Sequence, residues 1–194
     1  MTKIQINYDK EKFHDLLVQR YCSKVGTVPG TSKAVDTFCR KLTVWLYDGG
    51  RYNSLLIVGG VGMGKTTLME SLSDTLQLLA QHGIYSNLQA LIKAPKLNNE
   101  ARIQEGLIDY LAERKGLIID DLGSEMPTVK IYGTELHPME MLVKRRSDDE
   151  LPTIITTNLS LEQIEQQYQS ARIADVLAQY DRLTIANQKS FRRR

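Results

Sequence analysis

Apolar residues recur along this chain in two rhythms, as short continuous runs and as longer stretches in which they return every three or four positions. The first is the pattern of buried strands, the second that of helices with one inward face. Phe13, Leu16, Leu17 and Tyr21 predict a helix over 10–21, ended by Gly26, Pro29 and Gly30. Val35, Phe38, Leu42 and Leu46 predict a second, capped by Thr31 or Ser32 and ended by Asp48-Gly49-Gly50. The run Leu55 to Val58 reads as a buried strand, and Leu68, Leu72, Leu76 and Leu79 mark a helix over 66–79 directly after it. A strand over 84–92 follows. Asn98 or Asn99 then caps a helix through Arg114, with Ile103, Leu107, Tyr110 and Leu111 inward.

The second half repeats the alternation. Residues 116–121 form an apolar strand that ends in two acids, and 122–134 read as a loop. His137 and Pro138 suit the cap and first position of a helix with Met139, Met141 and Leu142 partly inward. Lys144-Arg145-Arg146 followed by Asp148-Asp149-Glu150 reads as self-compensating surface charge, with an intersubunit or phosphate contact by Arg146 as the alternative. A β-branched strand covers 153–158, Ser160 and Gln163 form a capping box for a helix through Tyr168, a short helix covers 172–179, and a last strand lies near 183–186. Strands that alternate with helices predict a parallel sheet with right-handed crossovers, whose ligands sit at the C-terminal strand ends.

The candidate chemistry falls at those ends. Gly59-Gly60-Val61-Gly62-Met63-Gly64-Lys65-Thr66-Thr67 fits G-x-x-x-x-G-K-[ST] between a strand and a helix. Its glycines let backbone N–H groups turn onto a polyphosphate, Lys65 reaches the β- and γ-phosphates, and the Thr66 hydroxyl ligates magnesium. The strand Leu117-Ile118-Ile119-Asp120-Asp121 has the form of a Walker B motif, with Asp120 on the metal side and Asp121 placed to polarise an attacking water. Asn158, at the end of the β-branched strand, suits a γ-phosphate or a water. His137 reads as a cap rather than a base, because no nucleophile pattern accompanies it.

Composition narrows the remaining classes. At 194 residues and 22.0 kDa the chain suits one ordinary domain, and 42% hydrophobic with 25% charged residues are globular values. A formal charge of +2 leaves the partner open. Cys22 and Cys39 stand far apart without a ligand pattern, which predicts reduced thiols and no zinc. The polar N-terminus and the lack of a long apolar run predict a cytoplasmic protein with no membrane segment. Lys33, Arg40 and Lys41 read as a solvated helix face.

An ordered set of longer stretches carries a resemblance. Leu117 to Gly123, Leu151 to Leu159, Arg172 to Leu177 and the closing Ser190-Phe191-Arg192 resemble the AAA+ domain of the DnaC and IstB ATPases, the bacterial helicase loaders and transposition helpers. The similarity covers about residues 31–192. It implies a three-layer α/β/α P-loop fold with a five-stranded parallel sheet and no C-terminal helical lid. The implied division is a short N-terminal helical arm, residues 1–30, and an AAA+ ATPase domain, residues 31–194. The resemblance further implies ATP and magnesium, an ATP-dependent homo-oligomer, and single-stranded or target DNA together with a replicative helicase or a transposase as partners. Lys65 and Thr66 match Walker A, Asp120 and Asp121 Walker B, and Asn158 sensor one. DNA contact maps onto Lys93, Lys96 and Arg102.

The chain departs from the family where R-x-x-[SD]-R-L would place a trans-acting arginine; Val176 stands there, with Arg172 or Arg182 as substitutes and Arg192 as the stand-in for a lid arginine. The expected function is therefore a DNA-associated ATPase. The alternatives are an ATP-gated adaptor with little hydrolysis and a small-molecule P-loop kinase.

Overall fold

The computed structural model describes residues 3–88, 90–101, 106–131 and 133–185. In chain order the elements are α1 (Lys10–Val25), α2 (Lys33–Asp48), β1 (Leu55–Gly59), α3 (Lys65–Gln81), β2 (Ala90–Lys93), α4 (Ala94–Ala101), α5 (Leu107–Ala112) and β3 (Leu117–Leu122). There follow β4 (Val129–Ile131), β5 (Thr134–Leu136), α6 (Pro138–Asp148), β6 (Thr153–Thr157), α7 (Leu161–Tyr168), α8 (Ala171–Ala178) and β7 (Asp181–Ile185). The five-stranded sheet has the order β2-β3-β6-β1-β7, and every pairing in it is parallel.

Alternation along the strands feeds two cores. Leu55, Ile57, Ile118 and Ile154 join Phe13, Phe38 and Leu68 of α1, α2 and α3 on one face, whereas Leu56, Leu117, Ile119 and Ile155 join Leu142, Ile164 and Leu177 of α6, α7 and α8 on the other. This is a three-layer α/β/α arrangement, and it explains why the central strands read as continuous apolar runs. Ser32 caps α2 and Ser160 with Gln163 forms the expected box on α7. Phe13, Leu17 and Tyr21 of α1 are fully buried, and α1 packs against both α2 and α3.

Several elements differ from the sequence expectations, each for a local reason. The strand expected over 84–92 shortens to β2, because Tyr85 to Asn87 pair instead with the chain start: Asn7 N–H donates to Tyr85 O, Asn87 N–H to Gln5 O, and Ile6 bridges Ser86 in antiparallel sense. The single helix expected up to Arg114 is two. α4 begins at Ala94, with Pro95 tolerated in its first turn, where no intrahelical donor is needed, and α5 restarts after Gly106. Tyr110 is 53% exposed rather than inward, with the Arg114 guanidinium 3.9 Å from its ring centroid. Ile103 and Ala186 lie outside the described residues. The expected loop over 122–134 contains β4 and the first residue of β5, which pair in antiparallel sense. Met139 and Leu142 are buried, but Met141 is exposed, and His137 sits at the N-cap of α6 without a side-chain cap bond.

Arg146 overturns both expectations for it, since it is neither surface charge nor a contact for a partner or phosphate. It is fully buried. Its guanidinium donates to the carbonyls of Leu111, Ala112 and Arg114, which close the C-terminal end of α5, and to Pro152 O and Thr153 Oγ1 at the start of β6. A cation at a helix C-terminus answers both the unpaired carbonyls and the negative end of the dipole. Burial lowers its pKa to about 10, so it stays charged at neutral pH. Replacing Arg146 with Met strands these acceptors and is expected to destabilise the fold by about 3 kcal/mol or more in urea unfolding at pH 7; a loss under about 1 kcal/mol would contradict this assignment.

Candidate functional site

β1 ends at Gly59, and the chain turns through Gly60 to Gly64 into the 17-residue α3. Gly62 and Gly64 take φ of 80° and 85°, values that a side chain disfavours, so the loop curls with its N–H groups at the positive end of a long helix. The first turn of α3 has no acidic residue to neutralise that end. Lys65 is only 6% exposed. Its ammonium donates to Gly59 O at 2.6 Å, to Gly60 O at 2.9 Å and to Asn158 Oδ1. Burial pushes its pKa down, against the opposing pull of Asp121 and Asp120.

The acids stand two strands away. Asp120 is 1% exposed, and its Oδ1 accepts from Thr156 Oγ1 at 2.7 Å. Burial raises its pKa, while hydrogen bonds from Thr156 and Thr66 work in the other direction. The Thr66 bond also brings the first helical turn of the phosphate loop onto the Walker B acid. Between Ile119 and Leu122 the pairing of β3 with β6 shifts register, and Asp121 adopts a left-handed φ of 66°. That conformation is tolerated by Asp better than by most residues. It lets Asp121 N–H donate to Thr156 Oγ1 at 2.9 Å and its carboxylate accept from Asn158 Nδ2 at 2.9 Å.

Lys65, Asn158 and Asp121 therefore form one hydrogen-bonded chain across the ends of β1, β6 and β3. A cavity of about 510 Å³ opens over it, lined by Val61 to Thr67, Asp121, Asn158, Lys24 and Val25. Gly59 and Gly60 supply carbonyls from below it. The donor set fits a nucleoside polyphosphate: clustered N–H groups, a buried ammonium whose present partners are neutral oxygens, and no acid in the loop. It also fits magnesium. Among the described residues no three His, Cys, Asp or Glu gather as a metal cage, but a hard cation held by phosphates and water needs only a carboxylate and a hydroxyl, as Asp120 and Thr66 offer.

Other candidates lie apart. Arg172 is exposed on α8 and does not line the cavity. Val176 packs half-buried against the second core, and Arg182 is exposed on β7. Lys93 pairs in register with Asp120 but forms an ion pair with Glu70 at 2.8 Å, and Lys96 pairs with Glu100 at 3.1 Å. Arg40 of the basic face on α2 pairs with Glu11. Cys22 and Cys39 are free, buried thiols. Arg102 and the stretch Ser190 to Arg192 lie outside the described residues. Two contributors escaped sequence reasoning. Thr156 looked only like a strand former, and Lys24 stands in a helix with no motif.

No family profile matches the sequence, and no curated protein matches it. Solved structures do match in fold. DnaI is 20% identical, with 93% of this chain and 100% of that one covered and a TM-score of 0.59. The DnaC helicase loader is 17% identical over 87% and 99%, at 0.58. AMPPCP-bound DnaA from Aquifex aeolicus is 14% identical over 83% of this chain and 49% of that one, at 0.56. At these identities the likeness shows the fold alone, the three-layer α/β/α arrangement on a five-stranded parallel sheet that the resemblance implied. No helix among the described residues is long and apolar enough to cross a membrane.

The raised pKa of Asp120 sets a sign. Its ionised form is disfavoured in the folded state, so stability is highest below the ordinary aspartate range and falls as pH rises through the folded pKa. Asp120→Asn is expected to unfold at a higher temperature than the parent at pH 7 in the absence of nucleotide, with the gap closing as pH falls toward 4. An unchanged gap across that range would show that burial of the charge is not the cause.

Proposed function

We propose that this chain is an ATP-binding AAA+ ATPase that works on DNA, comparable in task to a helicase loader. The observation that carries this is the chain Lys65–Asn158–Asp121 with Asp120 and Thr66 beside it, gathered at three adjacent strand ends under one cavity. The fold likeness to the DnaC helicase loader and to DnaA bound to AMPPCP adds to it.

Each group has a role that follows from its present partners. The N–H groups of Val61 to Thr67 receive the phosphates, and Lys65 exchanges neutral carbonyls for phosphate oxygens, a stronger partner for an ammonium. Thr66 and Asp120 would hold magnesium, which when bound neutralises developing charge on the phosphates. Asp121 accepts the proton of the attacking water, and Asn158, held by Lys65 on one side and Asp121 on the other, orients it.

Arg172, exposed on α8, is offered to the site of a second copy, which makes the active form an ATP-dependent homo-oligomer. DNA passes the C-terminal side of β2, where Lys93 and Lys96 are the described candidates, and the partner is a replicative helicase or a transposase of the cytoplasm. Residues 31–194 form the ATPase domain, and the arm in 1–30 adds α1 to it. A second function is favoured by one observation: Val176 is packed into an apolar face where a finger arginine would stand. An ATP-gated adaptor with slow turnover fits that.

Turnover and particle mass measured together, with ATP or ADP and with or without single-stranded DNA at low salt, separate these. ATP-dependent assembly on DNA is expected, and no DNA binding at low salt would sink the DNA role, since phosphate contacts are strongest there. Asp121→Asn is expected to lower kcat by about 100-fold or more while leaving ATP affinity near that of the parent. Tight ATP binding without turnover in the parent would instead establish the adaptor.

A further inference from the structure

The phosphate-loop motif accounts for one cation at the cavity, yet the cavity has two. Lys24 lies in the last turn of α1, just before the left-handed cap Gly26, and lines the same 510 Å³ space as Lys65, Thr66 and Thr67. Its Nζ stands 2.9 Å from Asp74 Oδ2 and 3.9 Å from Glu70 Oε2, both on α3. Glu70 already has a nearer cation, Lys93 at 2.8 Å. Lys24 is therefore committed to one close acid, although an ammonium carries three donors.

The ion pair is a poor candidate for a purely structural role. The side chains of Lys24 and Asp74 are 31% and 41% exposed, and pairs so open to water hold a fold weakly. α1 is fixed instead by Phe13, Leu17 and Tyr21, all fully buried. In the structure Asp74, two turns beyond Thr67 on the same helix and outside the cavity lining, takes the ammonium of a flexible four-carbon side chain that itself lines the rim. A polyphosphate there would be a far stronger partner for that ammonium.

We propose that Lys24 is a nucleotide-binding residue whose ammonium group exchanges Asp74 for the phosphates of the bound nucleoside polyphosphate. This rests on the nucleotide role of the cavity. It makes the first helix a working wall of the site and gives the segment before residue 31 a direct function.

Calorimetric titration of the full chain with ATP and AMP tests this. Lys24→Met is expected to weaken ATP binding about tenfold, with a smaller loss for AMP and a loss that shrinks as salt is added. Lys24→Arg keeps most of the affinity. Asp74→Asn, which removes the acid and keeps the cation, is expected to leave ATP affinity within about twofold. Equal ATP affinity for Lys24→Met and parent overturns the inference alone. So does an equal loss in Asp74→Asn and Lys24→Met, the mark of an ion pair that only anchors α1. A parent chain that binds no nucleotide overturns the role of the cavity as well.

Discussion

One hydroxyl reconciles the charges at the ends of this sheet. Thr156 donates to Asp120 and accepts from the backbone N–H of Asp121, so a single side chain on β6 fixes the buried acid and the left-handed turn that follows it. That turn points the next carboxylate toward Asn158 instead of along the strand. Lys65, at the start of α3, then meets Asn158, and the chain of hydrogen bonds closes without placing the cation in direct contact with either acid.

The same strand organises the rest of the polar interior. Thr153 receives Arg146, and Thr157 donates to Leu122 O where β3 leaves its regular register. Three buried threonines in one central strand thus do different work: one secures the end of a helix, one holds the acids and one supports the irregular strand. Arg146 is the structural counterpart of the site at the opposite end of the sheet. It supplies charge where helix carbonyls converge, as the phosphate loop supplies N–H groups where a helix begins. A further buried acid, Glu125, accepts from Gly123 N–H and from the Tyr168 hydroxyl and ties the segment after Walker B to α7.

The layered fold was legible because both its signals are local. Runs such as Leu55 to Val58 and Leu117 to Ile119 can be satisfied only by burial on both faces, and stripes such as Val35, Phe38, Leu42 and Leu46 supply the cover. The phosphate loop, the terminal acids and the polar-ended strand were legible for the same reason, since each is a short contiguous motif. What escaped depended on pairing between distant segments. Residues 85–87 have the composition of a strand, but their backbone partners lie at residues 5–7. Arg146 looks like part of a charged helix end, and only the arrival of α5 and β6 around it shows why an arginine is there.

By itself the sequence determined that alternating strands and helices would form a parallel sheet, and that a glycine-rich loop and two acids would stand at the C-terminal ends of its strands. These follow from periodicity and from motifs whose chemistry lies within a few residues. Tertiary structure alone decided which groups meet. It brought Thr156 between the acids, buried Arg146, left Arg172 away from the cavity and carried Lys24 from the first helix to its rim. The physical reason is that hydrogen bonds and charges act over a few ångströms in space, and the order of strands β2-β3-β6-β1-β7 sets those distances, not separation along the chain.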